Sequence, residues 1–99
     1  MARVEVSAAA YADLERLLDF LAQADPRAAA ASQEAIFDGW EVLQRHPLIG
    51  REAEEGLREL VISRGKSGYV ALYVYLEAED IVLVLALRHQ REAGFTRRE

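Results

Sequence analysis

Cysteine is missing from all 99 residues, which removes disulfide staples, thiolate nucleophiles and thiolate metal ligands together. Only two prolines and six glycines occur, too few for a fibrous or disordered chain. The longest unbroken apolar run, Tyr69 to Leu76, is eight residues, far short of the ~20 that span a bilayer. Lysine is nearly lacking as well: Lys66 stands beside eleven arginines. The opening Met1-Ala2-Arg3-Val4 has no signal-peptide core, so a cytoplasmic location is expected.

What is present describes an ordinary globule, 52% apolar and 29% charged. One domain over residues 1–99 is expected, because two halves this short could not each bury a core. Residues 96–99 are expected to form a disordered tail. Twelve bases oppose seventeen acids, a net −5, so the chain has no general attraction for nucleic acid or anionic lipid. Charge is uneven: residues 1–25 carry two bases and five acids, residues 81–99 four bases and two acids. A polyanion would be met at the C-terminal end.

Arg3-Val4-Glu5-Val6 alternates like a half-buried strand, and Ser7 suits a helix N-cap. Tyr11, Leu14, Leu18 and Leu21, with Leu17 beside them, then recur at helical spacing, while Asp13, Glu15, Arg16 and Asp19 take the other face. Asp25-Pro26 starts a second helix, running to about Arg45. Ala29, Gln33, Ile36, Trp40 and Leu43 mark its inner stripe, with Phe37 adjacent. The two-residue junction makes an antiparallel helical hairpin. After the Pro47–Arg51 turn come three strands, Leu57–Ser63, Tyr69–Leu76 and Ile81 to about His89, with short antiparallel connections. The fold class is α+β, in the order β-α-α-β-β-β, with the hairpin on one face of a small antiparallel sheet.

Both faces of that sheet are apolar. Val70, Leu72, Val74 and Leu76 oppose Tyr69, Ala71, Tyr73 and Tyr75; Ile81, Leu83, Leu85 and Leu87 oppose Val82, Val84 and Ala86. Two helices cover one face only. A half-apolar, partly tyrosine-lined face is left, and such a patch marks a partner site, a self-association surface or a tightly curled sheet.

Chemistry-bearing clusters are sparse. His46 and His89 lie far apart without helical carboxylate partners, so no metal site is expected, and no cofactor. Arg64-Gly65-Lys66-Ser67-Gly68 lacks the spacing of a phosphate-binding loop and reads as a hairpin turn. Glu52, Glu54 and Glu55 read as a solvated loop. Ser63 and Ser67 have no adjacent base. Arg88-His89-Gln90-Arg91 remains. Alternation places His89 with Leu85 and Leu87, packed at the sheet's end, and turns Arg88 the other way.

At these residues the chain resembles the RelE/ParE superfamily of type II toxin–antitoxin toxins. The likeness runs over about residues 3–95. It is carried by Val4-Glu5-Val6-Ser7 with an immediate helix, the helical hairpin, His46-Pro47-Leu48-Ile49-Gly50-Arg51 and Leu57-Arg58-Glu59-Leu60. Gly68-Tyr69 with Tyr73, and Arg88-His89-Gln90-Arg91, complete it.

That resemblance implies one of two activities. RelE-like members cut mRNA in the ribosome; ParE-like members poison DNA gyrase by trapping it on cleaved DNA. Metal-free RNA cleavage needs a base, an acid and cations. Val61, Ile62 and Ser63 stand where RelE-like lysines belong, Val70 where an arginine belongs, and Phe95 or Thr96 where a late tyrosine belongs. The Pro47–Arg51 turn, the Leu57-Arg58-Glu59-Leu60 strand and the long helical hairpin resemble ParE-like members instead, so the resemblance implies a gyrase poison that acts by binding, with enzyme activity left open. The alternatives are a ribonuclease using His89 as base and a non-toxic relic that only binds an antitoxin. Target contacts are expected at Arg88, His89, Arg91 and Phe95, with Arg51, Arg58 and Arg64 weaker; an internal salt bridge to a nearby acid is the alternative for Arg58. A cognate antitoxin is expected on Leu14, Leu17 and Leu21 and on Val82 and Val84, so that Val84→Asp would weaken binding more than folding.

Overall fold

A computed structural model describes residues 1–64, 67–92 and 94–95. Lys66, the tail 96–99 and the side chain of Arg64 lie outside the described residues.

Seven elements follow one another: β1 (Arg3–Val6), α1 (Ala8–Ala24), α2 (Pro26–Arg45), β2 (Arg51–Glu52), β3 (Arg58–Arg64), β4 (Ser67–Leu76) and β5 (Ile81–His89). They build a five-stranded sheet in the order β1-β5-β4-β3-β2. Local chemistry sets the helix boundaries. The Ser7 hydroxyl accepts the Ala10 N–H at 3.1 Å, and the Asp25 carboxylate accepts the Ala28 N–H at 3.1 Å. Pro26 occupies the first turn of α2, where its missing N–H costs nothing.

The expected architecture is present, with two additions. β1 joins the sheet as an edge strand parallel to β5, with Val4 opposite Val82 and Val6 opposite Val84. The sheet is therefore mixed; β2 to β5 are antiparallel neighbours. β2 is a two-residue strand that pairs Arg51 with Glu59 and Glu52 with Arg58. Two polar residues carry no alternation, so pattern reading could not have found it.

Both helices lie on the tyrosine-bearing face. Ala10, Leu14, Ile36, Trp40 and Leu43 pack with Ile62, Tyr69, Ala71, Tyr73, Val82, Val84 and Leu87 in one core. Each large apolar side chain withdrawn from water there contributes roughly 1.5–3 kcal/mol. Close approach needs Gly39, where a Cβ would meet the Ile62 side chain at 2.8 Å. The open face is thus aliphatic, not tyrosine-lined: Val61, Leu72, Val74, Leu76 and Leu83 are the partly or fully exposed residues there.

Three inner positions differ from the expected stripes. Ala10 is buried where Tyr11 was expected; the Tyr11 ring is half exposed and meets Trp40 edge-on at 6.4 Å. Ser32 replaces Gln33 on the inner face of α2. Asp13, expected on the solvent side, is only 1% exposed.

Candidate functional site

One irregularity decides what the end of β5 presents. Leu72 pairs with Ala86, but Tyr73 pairs with Val84. Leu85 is therefore an extra residue, a β-bulge that shifts the alternation of everything after it. Val82, Val84 and Leu87 all point into the core and are fully buried. His89 follows Leu87 onto the helix side, where its ring meets Tyr69 edge-on at 5.4 Å. Arg88 falls on the open face, opposite Val70. The packed histidine was readable from sequence; its grouping with Leu85 was not, because a bulge leaves no compositional mark.

Alternation splits the expected target contacts between two faces, and the bulge decides which face each one takes. On the helix side, His89 and Arg91 line a groove of about 530 Å³ with Leu17, Phe20, Leu21 and Tyr69, closed at one rim by Arg16 and Glu92. On the open face, Arg88 is an internal connector. Its Nη1 donates to the carbonyls of His89, Gln90 and Glu92 at 3.2–3.3 Å, and its guanidinium carbon lies 5.1 Å from the centre of the Phe95 ring. Phe95 is thereby folded back over the sheet, beside Leu72 and Glu59.

Around the groove the polar groups form a chain. Glu92 accepts the His89 backbone N–H at 3.0 Å and pairs with Arg16 at 3.4 Å. The His89 Nδ1 accepts the Arg91 backbone N–H at 3.1 Å. A neutral imidazole that accepts at Nδ1 carries its proton on Nε2. Arg91 is exposed at this rim.

The other candidates are structural in position. Arg51 pairs with Glu59 across the β2–β3 ladder at 3.0 Å. Arg58 donates to the carbonyls of Leu48 and Gly50 and lies 3.5 Å from Glu52, the internal alternative to a target contact. Gly50 donates its N–H to the Tyr73 hydroxyl at 2.9 Å. Burial pushes the Tyr73 hydroxyl above its ordinary pKa of 10.0, against the lowering effects of that hydrogen bond and of Arg58. These contacts explain why the Pro-x-x-Gly-Arg turn, Leu57-Arg58-Glu59-Leu60 and Tyr73 occur together.

The expected antitoxin contacts separate into two groups. Leu17 and Leu21 are partly exposed along the groove. Leu14 is buried in the core, and Val82 and Val84 have no accessible surface. The two valines are not available as antitoxin contacts, because the helices cover the face they occupy. Sequence reading missed Phe20, 78% exposed on the groove wall, and the Asp13–Arg16–Glu92 group. For Asp13 a signal existed: positions 10, 13, 14, 17 and 21 trace one helical face.

Among the described residues, no group of three or more His, Cys, Asp or Glu side chains could hold a metal ion. No helix among them is long and apolar enough to cross a membrane.

Comparison with known proteins agrees with this architecture. A family model described as the ParE toxin of type II toxin–antitoxin system, parDE, matches residues 4–94. Toxin RelE3 of Caulobacter vibrioides is 36% identical over 93 residues, covering 93% of this chain and 98% of the relative. The solved toxin–antitoxin complex RelBE2 of Mycobacterium tuberculosis contains a chain aligning with a TM-score of 0.57 and 28% identity. That alignment covers 90% of this chain and 98% of the other. With its two helices on one face of the sheet and a family match along nearly its whole length, the chain belongs to the RelE/ParE superfamily of type II toxin–antitoxin toxins.

Proposed function

We propose that this toxin is ParE-like: a single cytoplasmic domain that binds DNA gyrase, holds it on cleaved DNA and is neutralised by its antitoxin. The observation that carries this reading is how the arginines near the sheet are used. Arg88 is engaged with three backbone carbonyls, Arg58 with two more, and Arg51 with Glu59. Along the groove Arg16 is paired with Glu92 and Asp13, and His89 and Arg91 are the other groups that could meet a phosphate among the described residues. Metal-free cleavage of RNA needs a base, an acid and charge stabilisation at once, whereas binding needs only a complementary surface. The match to the ParE toxin model supports the same side.

Target contact is assigned to the His89–Arg91 end of the groove, and antitoxin contact to Leu17, Phe20 and Leu21 on its wall. Purified toxin should accumulate cleaved plasmid in a gyrase reaction, and antitoxin should reverse it. Arg91→Ala should weaken this poisoning while leaving the fold intact. Full supercoiling at micromolar toxin would remove gyrase as the target.

A second reading is a ribosome-dependent endoribonuclease. It is favoured by the name of the relative, Toxin RelE3. It predicts mRNA cleavage on programmed ribosomes that disappears in His89→Ala. Antitoxin binding without growth arrest would instead identify a non-toxic relic.

A further inference from the structure

β5 is flanked on one side by β4 and on the other by β1, but β1 ends at Val6, opposite Val84. Beyond that point, among the described residues, β5 has no strand on its β1 side. Ser7 and α1 take over. The Ser7 N–H donates to the Val84 carbonyl at 2.9 Å, and its hydroxyl donates to the Leu85 carbonyl at 3.2 Å. One turn and a half further on, the buried Asp13 carboxylate accepts the Leu87 N–H at 3.0 Å. A helix side chain thus completes a strand's hydrogen-bonding edge, at the bulge itself.

We propose that Asp13 is a positioning residue: it holds the β5 bulge and thereby decides which face of the sheet His89 and Arg88 occupy. Strict alternation from Val82 and Val84 would carry Arg88 under α1 and His89 onto the open face. The bulge exchanges them, and two backbone groups it turns away from β4, the Leu85 carbonyl and the Leu87 N–H, are the ones that Ser7 and Asp13 satisfy. A buried N–H without an acceptor is costly, so an acceptor here selects the bulged register over the regular one. Three residues along α1, Arg16 lies 3.8 Å from Asp13 and pairs with Glu92, which accepts the His89 N–H. Asp13 and Arg16 therefore grip the segment 87–92 at two points. The functional consequence rests on the reading of His89 and Arg91 as the target-contacting end; the structural consequence does not.

The test is nuclear magnetic resonance on the full isotope-labelled chain, alongside the gyrase assay. In the unaltered protein, Leu87 should show slow amide exchange and a scalar coupling across the hydrogen bond to the Asp13 carboxylate carbon. The rings of Tyr69 and His89 should show mutual proximity. Asp13→Ala should accelerate Leu87 exchange about ten- to a hundredfold, abolish the Tyr69–His89 contact and change the imidazole nitrogen shifts. Core amides such as that of Val70 should stay protected. Gyrase poisoning should fall with it, and Asp13→Asn, which keeps an acceptor oxygen, should restore both ring contact and poisoning. If Asp13→Ala does not fold, Asp13→Asn decides: loss of the Tyr69–His89 contact in that variant overturns the proposal. Fast Leu87 exchange in the unaltered chain, or an unchanged ring contact in a folded Asp13→Ala, also overturns it. Failure of gyrase poisoning in every variant, with the ring contact behaving as stated, refutes the target and leaves the positioning role standing.

Discussion

Gly50 and Tyr73 meet backbone to hydroxyl: the Gly50 N–H donates to the phenol oxygen at 2.9 Å. A Cβ on residue 50 would lie 2.7 Å from that same oxygen and 2.7 Å from the Glu59 carbonyl. The turn after α2 is therefore locked to the sheet by a contact that only glycine permits.

Gly50→Ala should destabilise the fold by about 1–3 kcal/mol, since the backbone carbonyl of Glu59 cannot move aside as a flexible side chain would. Thermal unfolding would show this as a fall in Tm of several degrees. An unchanged Tm would mean that the turn shifts freely.

Tyr73→Phe removes the acceptor and leaves the buried Gly50 N–H unpaired, at a cost of about 1–3 kcal/mol. It should also change the alkaline limb of stability. Burial raises the native Tyr73 pKa above 10.0, and the hydrogen bond to Asp80 raises that of Tyr75. Above pH 10 the unfolded chain releases these protons first, so stability is complete below the unfolded pKa and falls as pH rises through the folded one. Denaturant titrations at pH 8 and pH 11 should show a smaller loss in Tyr73→Phe than in the parent.

Arg58→Lys should not substitute for arginine. One guanidinium nitrogen reaches both the Leu48 and Gly50 carbonyls while another lies near Glu52, a fork that an ammonium cannot reproduce. Lysine should behave nearly as badly as Arg58→Ala in a chemical denaturation midpoint.

Val84→Asp places a carboxylate in a fully buried site of the core. Loss of more than about 4 kcal/mol is expected, so antitoxin binding should disappear with the fold. Phe20→Ser and Leu21→Asp, on the groove wall, should leave circular dichroism unchanged and weaken antitoxin binding, measured by calorimetry. Equal unfolding in all three variants would contradict the separation of core from groove.

Much of this architecture was readable in the sequence, because its signals are local. Ser7, Asp25 and Pro26 announce the helix starts, and the apolar runs of β4 and β5 announce the inner strands. The parallel pairing of β1 with β5 was not readable, since nothing in Arg3–Val6 names a partner beyond position 80. For the site, the residue types at 88–91 drew attention, but which side of the sheet each takes did not follow from them. A single bulge at Leu85, stabilised by a carboxylate from α1, reverses every later side chain. Burial of Asp13 follows from that bulge, and only a reading of helical position against charge type could have raised it.

The partnership between Ser7 and Leu85 spans 78 positions of chain, and this ordering in sequence governs when the toxin can exist at all. The first strand must wait for the last. Until β5 has left the ribosome, β4 has a bare edge, β1 has no neighbour, and the cap of α1 has no carbonyl to receive its hydroxyl. Long-range closure of this kind forms late and slowly. A chain interrupted before β5 therefore lacks not just the His89 groove but the sheet that would support it. Synthesis broken off early yields an incomplete sheet in place of a folded toxin.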